Sequence, residues 1–356
     1  MTEAPRLLRH YGDTDFITGL RAIAATMVVI IHTGAFVDFG PVGRSITDAG
    51  KYGVDIFFVI SGFTIAKTYA EARDYRSYLT RRIMRIVPLY WMMISVAIAL
   101  WATGAFPPTP WMEELGAQPD LYNYLMHLSL LSYFDYRVAN SLLGVEWTIP
   151  VEVFWYACLP LLLPLVRSLR GTVAIGLVML VLTASPAWVA KKTLGSSLAV
   201  KWSPIAHGHL FLVGALTYHL RERQRSAPSV RAALWAGGAL ALGALALCIP
   251  FDGRSALLAL CTAVLIVFVT PARAGYVAHI LTPRPMLFLG SISYSIYLVH
   301  YLVVHVLGSF AWMPPSGLAR FAIVYAITVV ISTLTYMLVE KPTNRAGRRM
   351  AERLRV

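Results

Sequence analysis

The chain is poor in charge, in cysteine and in extended polar stretches. Only 14% of its 356 residues are charged, against 57% hydrophobic. No polar segment is long enough to form a separate soluble domain, which excludes a soluble enzyme with an added anchor. Three cysteines, Cys158, Cys248 and Cys261, all fall inside apolar stretches without metal-ligand spacing. Neither a disulfide framework nor a zinc site is expected, and no metal is expected anywhere. The first sixteen residues carry Arg6 and Arg9 but no apolar run leading to a small-residue cleavage site, so the first apolar helix is expected to be retained. No internal repeat, low-complexity tract or heptad pattern is visible, which argues against a transporter built from symmetric halves. Acidic residues are also scarce, 18 against 31 Lys and Arg, for a formal charge of +13. In a soluble protein that excess would suggest nucleic acid. Here the basic residues are sorted among short loops, the pattern of a topology signal, and no nucleic-acid partner is expected.

What remains is an all-α, polytopic membrane protein. Ten spans are expected, near 17–37, 53–70, 86–105, 148–167, 171–190, 205–220, 232–250, 255–270, 287–308 and 319–339. Basic residues crowd one set of loops: Arg73, Arg76, Arg81, Arg82 and Arg85; Arg167 and Arg170; Arg221, Arg223, Arg225 and Arg231; Arg273 and Arg284; and a tail with Lys341, Arg345, Arg348, Arg349, Arg353 and Arg355. The opposite loops hold far fewer, so both termini are expected in the cytoplasm. One transmembrane domain then fills 1–356, with 1–16 a cytoplasmic N-terminal segment and 340–356 a basic cytoplasmic tail. Residues 106–147 form the longest outer segment. It opens with FPPTPW, which cannot be helical throughout, and continues into an amphipathic stretch from Leu121 to Phe134 expected to lie at the interface.

The first span contains RAIAATMVVIIH, Arg21 to His32. Eleven residues at 100° each bring His32 to within about 20° of Arg21, so both lie on one face, roughly 16 Å apart along the axis. A membrane helix keeps such residues only where protein or a water-filled cavity solvates them. The next span opens with GVDIFFVISGF and runs the other way, which puts Asp55 near the depth of His32. Asp55 is either a partner that fixes the imidazole tautomer or a cap on the first turn of its helix. Gly53, Ser61 and Gly62 are small and allow close helix approach.

Three further stretches carry chemistry. In YLTRRIMRIVPLYW, Arg81, Arg82 and Arg85 offer a cluster of guanidinium groups on one helical face, stopped by Pro88 and followed by Tyr90 and Trp91. Each fork binds phosphate oxygens bidentately, although a positive-inside loop explains any one of them. In EWTIPVEVFWY, Glu152 lies about one turn into the membrane and needs a partner from another helix. In GSISYSIYLVH, Tyr294, Tyr297 and His300 recur along a helix flank that could line a polar pathway or pack in the core.

These stretches together resemble the acyltransferase 3 family of integral-membrane O-acyltransferases. The matching features are Arg21 and His32 on the first helix, the glycine-rich helix at 53–63, the RRxxRIxPxYW signature at 81–91, and Trp147, Thr148, Glu152, Trp155 and Tyr156 in the WSLxxExxFY motif. The YSIYLxH helix is matched at 294–300. Thr148 in place of Ser and Val153 in place of a second Glu resemble the exopolysaccharide-acetylating branch. The resemblance implies an O-acetyltransferase of the bacterial inner membrane that takes acetyl-CoA from the cytoplasm. The acceptor would be a saccharide, of an exopolysaccharide, a lipopolysaccharide or a lipid-linked glycan, at the outer side. It implies His32 as catalytic base or acyl carrier, with Asp55 or Glu152 orienting it or holding the acceptor. Arg21, Arg81, Arg82, Arg85 and Tyr90 would hold the CoA moiety, and Trp147, Tyr294, Tyr297 and His300 the acceptor. Membrane lipids, and in some arrangements a second copy of the chain, complete the expected partners. The rival reading is a proton-coupled transporter or exporter of a small anionic or acylated solute, with His32, Asp55 and Glu152 as a proton relay.

Overall fold

With so little polar surface, the chain must satisfy its backbone groups internally, and helices do this segment by segment. The computed structural model describes residues 12, 14–72, 74–223, 230–270 and 275–354; among them no strand occurs. The expected topology residues Arg6, Arg9, Arg73, Arg225, Arg273 and Arg355 lie outside the described residues, as does most of the 1–16 segment.

The principal helices are α1 (Asp15–Thr33), α2 (Gly40–Ala49), α3 (Gly53–Glu71), α4 (Tyr75–Ala102), α5 (Leu121–Leu128), α6 (Thr148–Val166), α7 (Leu169–Leu194), α8 (Gly208–Arg223), α9 (Val230–Cys248), α10 (Arg254–Phe268), α11 (Arg284–Ser291), α12 (Ser293–Gly308), α13 (Gly317–Thr335) and α14 (Lys341–Arg353). Each of the ten expected spans corresponds to a helix or, for 287–308, to a pair. Seven segments among the described residues are long and apolar enough to cross a membrane, and α11 with α12, bent by 72° at their junction, would make an eighth. The expected spans 205–220 and 255–270 are shorter helices, of 16 and 15 residues. The protein is therefore an all-α polytopic membrane protein.

Two boundaries differ from the sequence expectation, and both matter for the site. The span expected to begin near 86 begins at Tyr75. Asp74 caps it by accepting from the Ser77 amide at 2.8 Å, and the helix runs through Pro88 without a break. The helix continues through Pro88, as packed membrane spans can; nearby, the Tyr294 hydroxyl donates to Ile86 O at 2.6 Å. The arginine cluster thus sits on the first turns of a span, not in a loop. The basic tail is likewise helical: α13 passes through a five-residue π-helical stretch, Tyr336–Glu340, into α14, which lies along α4.

Small residues bring the central helices together. A Cβ on Gly62 of α3 would meet the carbonyl of Phe211, and one on Gly214 of α8 the carbonyl of Val59. These two helices therefore approach to backbone contact, as small-residue crossings do in membranes. Replacing Gly62 by Val should cost at least the ~1–3 kcal/mol of an overpacked interface. Thermal unfolding in detergent would show it as a clear fall in midpoint, whereas an unchanged midpoint would mean that α3 and α8 separate freely.

Candidate active site

His32 ends the polar face of α1. Its Nδ1 lies 2.9 Å from Val28 O and 3.0 Å from Nε2 of His300 on α12. A carbonyl oxygen only accepts, so Nδ1 of His32 carries the proton. His300 Nδ1 is 3.1 Å from Ile296 O, so it too carries a proton, and its Nε2 is left to accept from His32. The Nε2 of His32 is then the unprotonated nitrogen. The ring of Tyr301 meets the His32 ring edge-on at 4.8 Å and limits its rotation. The two ion pairs among the described residues, His127 with Glu146 and Arg137 with Asp135, do not include His32, so no carboxylate lies within 4.0 Å of it. Asp55 instead faces the Ser255 hydroxyl, with Lys51 near. The expected pairing of Asp55 or Glu152 with His32 is therefore replaced by an imidazole–imidazole hydrogen bond.

His32 and Asp55 do share a cavity of about 440 Å³, walled also by Trp147, Trp202, His207 and Tyr297. Trp147 stands at this wall with its ring 4.9 Å from that of His207. His300 lines none of the three cavities found. It is fully buried behind His32, so it is not positioned to touch an acceptor.

A second cavity, constricted to about 50 Å³, follows toward the arginine end and shares Val54 and Tyr297 with the first. Glu152 of α6 lines it. Its Oε1 accepts from the Ser61 hydroxyl and, at 2.7 Å, from the Tyr156 hydroxyl. Arg21, Arg82, Arg85, Tyr294 and Tyr297 line the same space. Arg21 donates from Nε to the Ser293 hydroxyl at 3.1 Å and lies within electrostatic reach of Arg85, Glu340 and Glu152. Tyr297 donates to Val145 O at 2.7 Å and accepts from Thr148 at 3.0 Å, which fixes its ring between the two cavities. Sequence reasoning passed over Ser61 and Tyr156 as ligands of Glu152. The four-residue spacing of Glu152 and Tyr156 on one helix was the available signal.

The third cavity, about 360 Å³, opens at the arginine end and shares Arg82 and Arg85 with the second. The three arginines are not equivalent. Arg82 is buried, donates to Thr64 O and Thr68 Oγ1, and stacks over the Tyr156 ring at 5.3 Å. It ties α4 to α3. Arg81 donates to Ser77 O at 3.3 Å and has a buried Nη2 without a partner, while Arg85 makes no hydrogen bond among the described residues. These two keep donors available. Tyr90 is not part of this group. It is fully buried and its hydroxyl donates to Nδ1 of His127 at 2.8 Å. Five residues turn it about 140° from Arg85 around the helix.

That hydroxyl belongs to an anchor for the outer segment. His127 Nε2 donates to Val138 O at 3.1 Å, and Glu146, 3.9 Å away, accepts from the amides of Leu142 at 2.6 Å and Val145 at 3.0 Å. The chain from 138 to 146 is thus held against α4 and α5, and it delivers Trp147 and Thr148 to the site. Burial pushes the Glu146 carboxyl up to about 7 from its ordinary 4.5, against the pull of the amides that favour its ionised form. Burial also pushes His127 down to about 4 from 6.5.

A histidine with a free nitrogen opens on a chain of cavities that leads to Arg81 and Arg85, an arrangement that fits a membrane-embedded enzyme. The chain belongs to the acyltransferase domain family, which it matches over residues 14–337. It is 28% identical to nodulation protein 10 of Rhizobium leguminosarum bv. viciae over 94% of this chain and 93% of that one. It is 29% identical to the exopolysaccharide production protein ExoZ of Rhizobium meliloti over 84% and 91%. With the peptidoglycan O-acetyltransferase OatA of Listeria monocytogenes it shares 24% identity over 98% of this chain and 58% of that protein. The chain spans little more than half the length of the peptidoglycan-type relatives it matches, 57% and 58% of two of them. No solved structure matches it. The protein is an acyl-transferring enzyme.

The anchor gives a pH signature. Glu146 is raised, so its stabilisation is complete below pH 4.5 and is lost as pH rises through 7. His127 is lowered, so its contribution is complete above pH 6.5 and is lost as pH falls through 4. Between about pH 6 and 8.5 the Glu146 effect dominates. Amide hydrogen exchange at 138–146, corrected for intrinsic rate, should gain protection loss over that range, and Glu146→Gln should remove the trend. The same trend in Glu146→Gln would contradict the assignment.

Proposed function

We propose that the protein is an O-acetyltransferase of the bacterial inner membrane, using cytoplasmic acetyl-CoA and acylating a saccharide hydroxyl at the outer side. The observation that carries the reading is the free Nε2 of His32, set at the far end of a line of cavities from the unpaired guanidinium groups of Arg81 and Arg85. Phosphates bind at the arginine end, which the excess of basic residues assigns to the cytoplasm. The pantetheine arm runs along the polar face of α1, past Arg21, and brings the thioester to His32, a rise of roughly 16 Å. The central cavity is narrow, about 50 Å³, so Glu152, Tyr156 and the tyrosines must move apart as the arm enters.

The acceptor enters the wider cavity at the other end. His32 Nε2 takes the proton of the acceptor hydroxyl as its oxygen attacks the acetyl carbonyl. The carbon–sulfur bond breaks, and the proton passes to the leaving CoA thiolate. The imidazolium formed on the way is stabilised by His300, whose Nε2 accepts from His32 Nδ1–H as a carboxylate would. Trp147 and the other aromatic rings offer flat apolar faces on which a sugar ring can lie. The names of the relatives support an O-acetylated glycan as acceptor class, with an exopolysaccharide favoured by the match to the exopolysaccharide production protein over 84% of this chain and 91% of that one.

His32→Ala should lower release of CoA from acetyl-CoA by about 10²–10⁴-fold in the presence of a glycan acceptor. His300→Ala should reduce it less, with the rate limb governed by His32 displaced along the pH axis. Full turnover by His32→Ala would overturn the assignment. Solute flux without CoA release would return the protein to the transporter reading.

A further inference from the structure

We propose that the C-terminal basic helix α14 is part of the donor site and reads the 3′-phosphate of CoA; this rests on the acetyl-CoA reading above. The helix lies beyond the residues matched to the acyltransferase family, 14–337. Its sequence alone reads as a positive-inside tail. The structure gives it a specific seat.

The π-helical stretch Tyr336–Glu340 leads into α14, which lies along α4. π-helical insertions of this kind recur at functional sites. Glu340 within it is buried, accepts from Ser295 at 3.0 Å, and lies within reach of Arg21 and Arg85. The two helices cross closely at Gly347, where a Cβ would stand 2.6 Å from Cβ of Met84. Further along, Ser77 Oγ donates to Ala351 O at 2.9 Å. These contacts set Asn344 and Arg348 on the wall of the 360 Å³ cavity, facing Arg81 and Arg85.

Three features mark this cavity as a place for an anion. Among the described residues, Arg81, Arg85 and Arg348 have no carboxylate within 4.0 Å, although Glu71 and Glu352 line the same space. The Arg81 Nη2 is buried there without a hydrogen-bond partner. Such an orphaned donor is costly unless a ligand satisfies it. Arg348, a residue of the cavity wall, is also exposed.

Position divides the phosphates between the arginines. Arg82 and Arg85 line both this cavity and the central one, so they lie nearest the diphosphate that joins the pantetheine arm. Arg81, Asn344 and Arg348 line only the outer one, farther from His32. They meet the far end of the donor, where CoA carries a phosphate monoester on its ribose. A monoester with up to two charges calls for more than one guanidinium, and α14 supplies the second.

The test compares acetyl-CoA with acetyl-3′-dephospho-CoA as donors, and adenosine 3′,5′-bisphosphate with 5′-ADP as ligands, for the full chain in nanodiscs. Arg348→Ala should raise KM for acetyl-CoA about tenfold with little change in kcat, the loss of one charge-assisted contact. It should leave KM for the dephospho donor unchanged, and it should abolish the preference for the bisphosphate. Arg349→Ala, an exposed neighbour outside the cavity wall, should behave as the unmodified protein. An equal effect of Arg348→Ala on both donors, or none on either, would overturn the proposal while leaving the transferase reading intact. Arg348-dependent binding of the bisphosphate without any acetyl-CoA turnover would do the reverse, sustaining the phosphate site and removing the transferase reading.

Discussion

The Nδ1–H of His32 is committed to Val28 O and to His300 Nε2, and the rest of the site depends on that commitment. A histidine among apolar helices could present either nitrogen, or rotate between them. Here one edge is occupied by the carbonyl one turn back and by a second imidazole, itself fixed by Ile296 O. The remaining nitrogen is left with its lone pair. This arrangement asks for α1 and α12 side by side, and the 72° bend between α11 and α12 allows α12 to take that position. It needs no carboxylate at His32, which is consistent with the low cost of a neutral pair in a bundle where an isolated charge would be expensive.

Charge is instead concentrated at the other end of the polar line and is balanced along it. Arg82 is consumed by α3, and Arg21 is surrounded by Ser293, Glu340 and Glu152. Glu152 is itself held by two hydroxyls. The middle of the line, at Arg21, Arg82 and Glu152, is therefore polar but internally satisfied, and its narrowest part must be opened by a ligand able to replace those bonds. At the outermost point, Arg81 keeps a buried Nη2 without a partner and Arg348 is exposed beside it, and there an incoming anion gains most.

Helical periodicity made a good part of this legible. The near-superposition of Arg21 and His32 on one face put both on the polar line, and the spacing of Arg81 and Arg85 put both on one cavity wall. The spans emerged from apolar length, with α8 and α10 among the shorter ones, at 16 and 15 residues. What the sequence left hidden depends on contacts between helices. Depth alone placed Asp55 beside His32, but depth says nothing of rotation, and Asp55 faces Ser255. Tyr294, Tyr297 and His300 at spacings of three drift by about 120° around α12, so they cannot share one cavity. The first two line the polar path and His300 stands behind it. Tyr90 turned away from the arginines for the same reason. The role of α14 was invisible because a run of basic residues after a last span satisfies the topology rule without any fold.

The most direct test of the account is a structure of the protein with a non-transferable thioether analogue of acetyl-CoA. The account places the analogue's carbonyl oxygen or methyl ketone carbon beside His32 Nε2, with Nδ1 still bonded to His300 and the phosphates at the end of α4 that carries Arg81 and Arg85. An analogue bound with its phosphates at the His32 end, or with its acyl group in contact with neither imidazole, would contradict it.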